Sequence, residues 1–483
     1  MHRINQKIRS GVLWNLGGIF LTRGATTLFT LFLARLLAPE AFGLIAMATV
    51  VFEFANVFIN SGLGQALIRS KRVSDADLNT VFYTNLLLSI VAYTVIFICA
   101  PYIADFYNHE QLTGLVRVMA LIVLINATKV VQTAVLSRRM DFKSQMQANS
   151  IAALGSGMLA VVAAHLGWAE WSLVVMMLGQ AFIASFVMWF LSSWRPGIAF
   201  STESFNRLFK FGRNLLAEGI IEVAFQNSYV LVIGRLFSAE ITGLYFFARK
   251  ISYLISQQLT GAVQQATFPA MATLQDKNQV LLLKYRQIMQ LMMFLIAPIM
   301  ALLAGLASPL FILLFDDRWI AAVPYLQVLC IVGALIPLHA LNVNLLNVKG
   351  RSDLVLKVGI IKKTVNLSLL FLAVPFGVIG IAFSQVIGSI LALVPNTYFS
   401  ARLVGYPLGA QLKDVLKPFL AAGLAAGVAW LIAGNSVNVT VGRFLVAGGA
   451  GVIVYLSVSI FIRAEGALLC LRKGRSKLIK ILN

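Results

Sequence analysis

Charge is what this 483-residue sequence has least of. Asp, Glu, Lys and Arg make up 12% of it, about half of the roughly 25% usual in soluble domains, which excludes an ordinary water-soluble fold. Acidic side chains are scarcest: 18 Asp and Glu stand against 39 Lys and Arg, for a net charge of +21. The three cysteines, Cys99, Cys330 and Cys470, are scattered, which excludes a disulfide framework or a cysteine metal cluster. Long polar loops are missing too, so no globular catalytic domain fits between the apolar runs. Asp105, His109, Glu110, Asp316 and Asp317 are the best candidates for catalytic groups on an outer loop, and they read more simply as solvated turn residues. His165 and His339 read as packed or pairing rather than catalytic, and the chain is not expected to be an enzyme. The basic lead-in Met1–Ser10 runs into a full-length apolar stretch, so no cleavable signal peptide is expected.

Hydrophobic residues supply 59% of the sequence, in runs long enough to cross a bilayer core of roughly 30 Å. Fourteen spans are expected: 11–34, 41–63, 80–103, 115–136, 147–166, 171–191, 212–234, 243–266, 288–314, 322–346, 355–374, 377–399, 416–433 and 442–462. The positive charge invites a nucleic-acid reading, but its placement argues for membrane topology instead. Thirty of the 39 basic residues fall in every second loop and at the two ends, whereas the opposite loops hold only Arg35, Arg117, Arg235, Arg318 and Arg443. That asymmetry predicts cytoplasmic termini, with the basic tail Arg472, Lys473, Arg475, Lys477 and Lys480 held by anionic membrane lipids.

One segment occurs twice. Arg35-Leu36-Leu37-Ala38-Pro39-Glu40-Ala41-Phe42-Gly43-Leu44 returns as Arg235-Leu236-Phe237-Ser238-Ala239-Glu240-Ile241-Thr242-Gly243-Leu244. With a constant offset of 200 residues, eight of the 32 positions from 35 to 66 are identical. Membrane hairpins also favour Arg, Glu and Gly at their turns, but the fixed offset favours internal duplication. Six spans lie in each copy, so the copies run parallel and are expected to be related by a pseudo-two-fold axis along the membrane normal. The expected architecture is an all-α polytopic membrane protein of about 14 transmembrane helices. It has a six-helix lobe over 1–200, a second over 201–400, and two added helices with the basic tail over 401–483.

Charges inside a bilayer cost on the order of 2.5–3.5 kcal/mol each and mark cavities or partners. Arg23 sits midway along the first span beside Thr22, Thr26 and Thr27; Glu53, Asn56 and Asn60 form a stripe on the second. Lys129 is central in the fourth span, followed by Gln132 and Thr133. Its choice between a cavity and interhelical pairing stays open. In the seventh span Glu218 and Glu222 are four apart, hence on one face, with Asn214 and Gln226 extending it. The eighth carries Arg249, Tyr253, Ser256, Thr260 and Gln264 at helical spacing, with Lys250 alongside. Arg249 and Lys250 lie near a span end, where snorkelling is the alternative. The first hairpin of each copy therefore holds most of the deep charge. The expected substrate-binding set is Arg23, Glu53, Asn56, Asn60, Lys129, Gln226, Arg249, Tyr253 and Gln264. Glu218 and Glu222 are expected as ion-coupling carboxylates, because two like charges on one face raise one proton affinity. Guanidinium, amine and amide groups together suit phosphate and sugar hydroxyls, whereas a drug pump would favour an acidic, aromatic cavity.

Several segments carry a resemblance: Ser10-Gly11-Val12-Leu13-Trp14-Asn15, Ala34 to Gly43, Ser61-Gly62-Leu63-Gly64-Gln65-Ala66-Leu67-Ile68, Phe268-Pro269-Ala270-Met271 and Phe315-Asp316-Asp317-Arg318-Trp319. In their order and spacing the chain resembles the polysaccharide-exporter, Wzx-type branch of the multidrug/oligosaccharidyl-lipid/polysaccharide flippase superfamily. The likeness covers about 1–400. It implies a two-lobe alternating-access fold in the bacterial cytoplasmic (inner) membrane. It also implies a flippase for oligosaccharide repeat units on undecaprenyl diphosphate, with Arg23 and Arg249 meeting the diphosphate. No cofactor is implied beyond a coupling cation, H+ or Na+. The partners implied are the lipid-linked glycan, membrane lipids and the polysaccharide polymerase and export machinery. The alternatives are an exporter of the same fold for a peptidoglycan lipid precursor or a small-molecule drug and, further off, a membrane glycan polymerase or ligase.

Overall fold

The computed structural model describes residues 2–59, 62–70, 72–434 and 440–471. Among these residues the regular elements are all helical. In chain order they are α1 (His2–Leu36), α2 (Pro39–Ile59), α3 (Leu63–Arg69), α4 (Asp75–Tyr107), α5 (Gln111–Arg138), α6 (Phe142–His165), α7 (Glu170–Leu191) and α8 (Thr202–Leu236). There follow α9 (Ala239–Ala272), α10 (Asn278–Gly305), α11 (Ala307–Leu314), α12 (Val323–Val348), α13 (Ser352–Ala373), α14 (Gly377–Val404), α15 (Leu408–Ala433) and α16 (Val441–Phe461). Short 3-10 turns at Asp317–Ala322 and Val374–Phe376 precede α12 and α14. A long helix occupies each of the fourteen expected intervals. Ten segments among the described residues are long and apolar enough to cross a bilayer, the segment Ser352–Val404 holding both α13 and α14. The chain is a multi-pass membrane protein. Asn60 and the tail from Arg472 to Lys480 lie outside the described residues.

Contacts divide the chain into two units, 1–243 and 244–483. In the first, α6 packs on α1 and α7, α4 on α5, and α8 on α2, α3 and α4. The first packing unit thus runs past residue 200 through α8. Local polar chemistry fixes the helix starts. Ser74 caps α4 in a reciprocal box with Asp77, each accepting from the other's backbone N–H at 3.2 and 3.0 Å. Asp77 also holds the Arg207 guanidinium of α8. Asp141 accepts from the Ser144 amide at 3.1 Å to start α6, and Ser201 from the Ser204 amide at 3.2 Å to start α8. Arg138 donates to the Leu67 and Ser70 carbonyls at the end of α3, at 2.6 and 2.5 Å. Around these polar clamps Leu67, Val81, Phe82, Val131 and Trp194 form a buried apolar cluster.

The duplicated segment explains itself at its glycines. Gly43 is the fifth residue of α2 and Gly243 the fifth of α9. A Cβ placed on Gly43 would lie 2.7 Å from the Ala239 carbonyl carbon and 2.9 Å from the Gly243 nitrogen. One placed on Gly243 would lie 2.7 Å from the Pro39 carbonyl carbon and 2.8 Å from the Gly43 nitrogen. The two helix starts cross backbone to backbone, reciprocally, and only hydrogen fits at either glycine.

In the second unit α12 packs on α10 and α14, α13 on α14, and α10 on α15, which carries α16. Small residues set the last of these contacts. A Cβ on Gly305 would meet the Ala426 carbonyl oxygen at 2.8 Å, and one on Gly451 the Leu302 side chain at 2.5 Å. Ala421, Ala422 and Ala425 are fully buried along the same seam, the close small-residue packing of membrane helices. The Phe315–Trp319 motif folds on itself. Asp316 accepts from the Arg318 amide at 3.1 Å and pairs with its guanidinium, while Trp319 is buried 4.4 Å from the Phe247 ring.

Alanine normally stabilises a helical glycine position by about 1 kcal/mol, and Gly24 has open space for a Cβ. Gly24→Ala should leave the melting temperature of the detergent-solubilised protein unchanged or raised. Gly43→Ala and Gly243→Ala should each lower it by several degrees, the response to roughly 1–3 kcal/mol of overpacking. Equal melting of all three variants would refute the crossing.

Candidate functional site

In the first unit Arg23 is exposed on α1, beside a small cavity of ≈ 200 Å³ that it lines with Gly18 and Thr22 of α1 and Gln145, Met146 and Asn149 of α6. The wall holds because α1 and α6 touch closely: Gly157 leaves room for the Phe29 ring, and the Thr22 and Ser150 hydroxyls are 3.3 Å apart. Thr26 and Thr27 donate to the carbonyls of Thr22 and Arg23 at 2.9 and 2.7 Å, so their protons are committed to the helix. Gln145 and Asn149, four apart on one face, are the groups that sequence reasoning missed. Their polar spacing at the start of a span was the available signal. Lys129 is half-buried on α5. Among the described residues neither Arg23 nor Lys129 joins an ion pair with a carboxylate.

Glu53 of α2 is satisfied from α8: Asn227 Nδ2 donates to its Oε2 at 2.5 Å and to the Val223 carbonyl at 3.0 Å. Asn227 is the second residue missed by reading the sequence, since it lies one position round the helix from the face through Glu218, Glu222 and Gln226. On that face Gln226 Nε2 donates to Glu222 Oε1 at 2.7 Å, and Glu218 is exposed. Asn56 is half-buried on α2. Gln132, expected to continue the face of Lys129, is fully buried instead, and neither atom of its amide has a partner.

In the second unit the Arg249 guanidinium lies over the Tyr253 ring at 5.2 Å, a cation–π contact one helical turn apart. Tyr253 and Gln264 face helices of their own unit: the Tyr253 hydroxyl donates to Gln385 Oε1 at 3.3 Å, and Gln264 Nε2 to the Ala340 carbonyl at 2.9 Å. Ser252 and Ser256 donate to the Leu329 and Gly333 carbonyls at 2.8 and 2.5 Å. The polar stripe of α9 is thus engaged on α12 and α14. Among the described residues no group of three or more His, Cys, Asp or Glu could hold a metal ion.

A family described as polysaccharide biosynthesis protein matches residues 32–324. The chain belongs to that family. Its similarity to a Bacillus subtilis teichuronic acid biosynthesis protein, TuaB, is 25% identity over 434 residues, covering 87% of this chain and 89% of the relative. For the Escherichia coli lipopolysaccharide biosynthesis protein WzxC it is 25% over 420 residues, covering 86% and 84%. In fold this polysaccharide biosynthesis protein matches the lipid II flippase MurJ in an inward closed conformation, with a TM-score of 0.76 over 94% of this chain and 99% of that one at 14% identity. It also matches an inward-facing multidrug resistance MATE family transporter of the MOP superfamily, with a TM-score of 0.60 over 80% and 95% at 16% identity. The two solved structures of similar fold are a flippase and a transporter.

Two classes of polar residue follow from the geometry, and stability separates them. Asn227→Ala leaves the Glu53 carboxylate without its donor and should cost about 1–3 kcal/mol. Arg23→Ala removes a side chain without a carboxylate partner and should leave the melting temperature within error of the parent. Equal destabilisation by the two changes would show that Arg23 is structural.

Proposed function

We propose that this family member is a flippase that moves undecaprenyl-diphosphate-linked oligosaccharide repeat units across the bacterial cytoplasmic membrane by alternating access. The observation that carries the reading is the pairing of a polysaccharide biosynthesis family with a fold matched over 94% of the chain to a lipid II flippase. A lipid-linked sugar is a cargo that fits both. All fourteen long helices would cross the bilayer, as two parallel six-helix lobes and an added pair, with both termini in the cytoplasm.

The chemistry follows from the cations and amides. A diphosphate brings several anionic oxygens, and a guanidinium meets such groups in a bidentate fork. Arg23, exposed beside Gln145 and Asn149, is the first capture group; Lys129 and Arg249 add positive charge. Asn56, Gln226 and the cavity amides suit sugar hydroxyls, and the polyprenyl tail stays in the bilayer. Glu218 and Glu222 are the carboxylates placed to bind a coupling cation. The polymerase and export machinery of the same glycan would take over the flipped unit.

Cells lacking the gene should accumulate a diphosphate-linked repeat unit, seen by mass spectrometry of polyprenyl lipids and inaccessible to reagents added outside. No accumulation together with an intact surface glycan would overturn the proposal, and accumulation of a peptidoglycan precursor would reassign the cargo. In complemented cells Arg23→Ala should lower export about ten- to a hundredfold at normal protein level, the loss of roughly 1.5–3 kcal/mol of charge-assisted hydrogen bonding. Full export by a stably expressed Arg23→Ala protein would remove Arg23 from the site.

A further inference from the structure

The first unit carries an apolar groove that none of the foregoing uses. It has a volume of ≈ 530 Å³ and runs between α5 and α7, with Ile125, Phe182, Phe186, Trp189, Phe190 and Arg195 among its lining residues. Phe182, Phe186 and Phe190 stand one turn apart on a single face of α7, and they are 58, 54 and 70% exposed. Their rings follow one another at 6.2 and 4.7 Å between centroids. The earlier half of α7 differs: Leu173, Val174 and Met176 are buried there. From Phe182 to Phe190 the helix rises about 12 Å, most of one leaflet, which is about half of a roughly 30 Å core. The groove therefore opens to lipid in the leaflet where α7 ends.

The polar groups of its floor are turned onto the protein. The Thr128 hydroxyl gives its proton to the Ile125 carbonyl at 2.7 Å, and the Ser185 hydroxyl lies 2.7 Å from it. Trp189 Nε1 donates to the Thr128 carbonyl at 3.1 Å. A hydrocarbon chain suits such a surface, whereas a sugar or a peptide would lose hydrogen bonds on it. Polarity returns at one end. In the loop after α7 the Arg195 guanidinium lies 5.7 Å from the Trp189 ring, and its Nη1 donates to the Ser192 and Trp194 carbonyls at 2.6 and 2.8 Å. Those bonds fix the side chain at the mouth of the groove and use two of the five N–H donors of a guanidinium. Arg139, the residue after α5, donates through Nη1 to the Ser193 hydroxyl at 2.8 Å. A second exposed guanidinium is thereby held at the same loop. Among the described residues neither arginine pairs with a carboxylate. Asp141, the acidic residue nearest Arg139 in sequence, accepts from the Ser144 amide and hydroxyl at 3.1 and 2.7 Å.

We propose that this groove binds an anionic phospholipid of the surrounding membrane. One acyl chain lies along the phenylalanine face, and the phosphodiester meets Arg195 and Arg139. Phosphate oxygens accept from a guanidinium fork, and basic sites between transmembrane helices select lipids whose head groups are negative. A zwitterionic head brings its own cation to the same two arginines and is disfavoured. The bound phosphate joins the ends of α5 and α7, which the Arg139–Ser193 contact already brings together.

The test reads lipid retention rather than transport, so it stands or falls apart from the flippase reading. The purified full-length chain is mixed with phosphatidylglycerol or with phosphatidylcholine of the same acyl chains, and bound lipid is counted by native mass spectrometry. Phosphatidylglycerol should bind about tenfold more tightly. Arg139→Gln combined with Arg195→Gln should erase that preference, a loss on the order of tenfold, the scale of charge-assisted hydrogen bonds. Lys357→Gln combined with Lys413→Gln removes two exposed charges from the second unit and should leave the preference intact. Phe186→Ala, at an exposed position with both arginines kept, should weaken retention of phosphatidylglycerol several-fold. No preference in the parent, equal effects of the two double variants, or unchanged retention in Phe186→Ala would overturn the proposal. Displacement of phosphatidylglycerol by an equal amount of undecaprenyl phosphate would also overturn it, assigning the groove to a polyprenyl chain.

Discussion

Two carbonyl groups and two missing side chains decide how the first unit closes. Where α2 and α9 begin, Gly43 and Gly243 press against the peptide groups of Ala239 and Pro39, and any Cβ would fall on a backbone atom. Backbones this close leave no room for the rotamer search that ordinarily adapts a helix contact. The crossing is therefore specified by composition alone, and α8, which leads into it, is drawn onto α2, α3 and α4. Glu53, farther along α2, meets Asn227 of α8. A polar contact of that kind inside an apolar layer needs its partners in register, and the glycine crossing supplies the register.

The polar residues divide into those that hold helices together and those without a protein partner. Glu53, Tyr253, Gln264, Ser252 and Ser256 belong to the first kind, since each meets a group on another helix. Arg23 and Lys129 belong to the second among the described residues. In a chain with more than two basic residues for each acidic one, some cations must go without carboxylate partners. Placing two of them away from the helix ends is costly, a cost that the proposed anionic head group would offset.

Periodicity and charge placement made the helices legible, because apolar length and the spacing of Lys and Arg are properties of the sequence itself. The recurring segment is visible in the same way, and two of its glycines, Gly43 and Gly243, have no room for a side chain. Partner choice was not legible. Asn227 was passed over because it sits one residue off the stripe defined by Glu218, Glu222 and Gln226, and only the approach of α2 reveals its role. Gln145 and Asn149 were hidden by lying at a span boundary, where polar residues are ordinary. His339 looked like a packing or pairing residue, and it meets Ser389 and Asn396 of α14. The motifs that carried the resemblance serve geometry: Gly43 makes a crossing, Gly62 turns the chain at a φ of 72° before α3, and Asp316 ties Arg318 beside a buried Trp319.

The last two helices, α15 and α16, are fastened largely through alanine and glycine, with Tyr455 of α16 set against Phe294 of α10. Contacts made this way draw on dispersion between close backbones, and little on the area removed from water, because lipid is as apolar as the seam. Their strength falls steeply with distance, so the seam behaves as a zipper that is either shut along its length or not formed. Drift of these helices through small spreading motions is thereby disfavoured, and they would travel with α10 as one rigid plank whenever that helix moves.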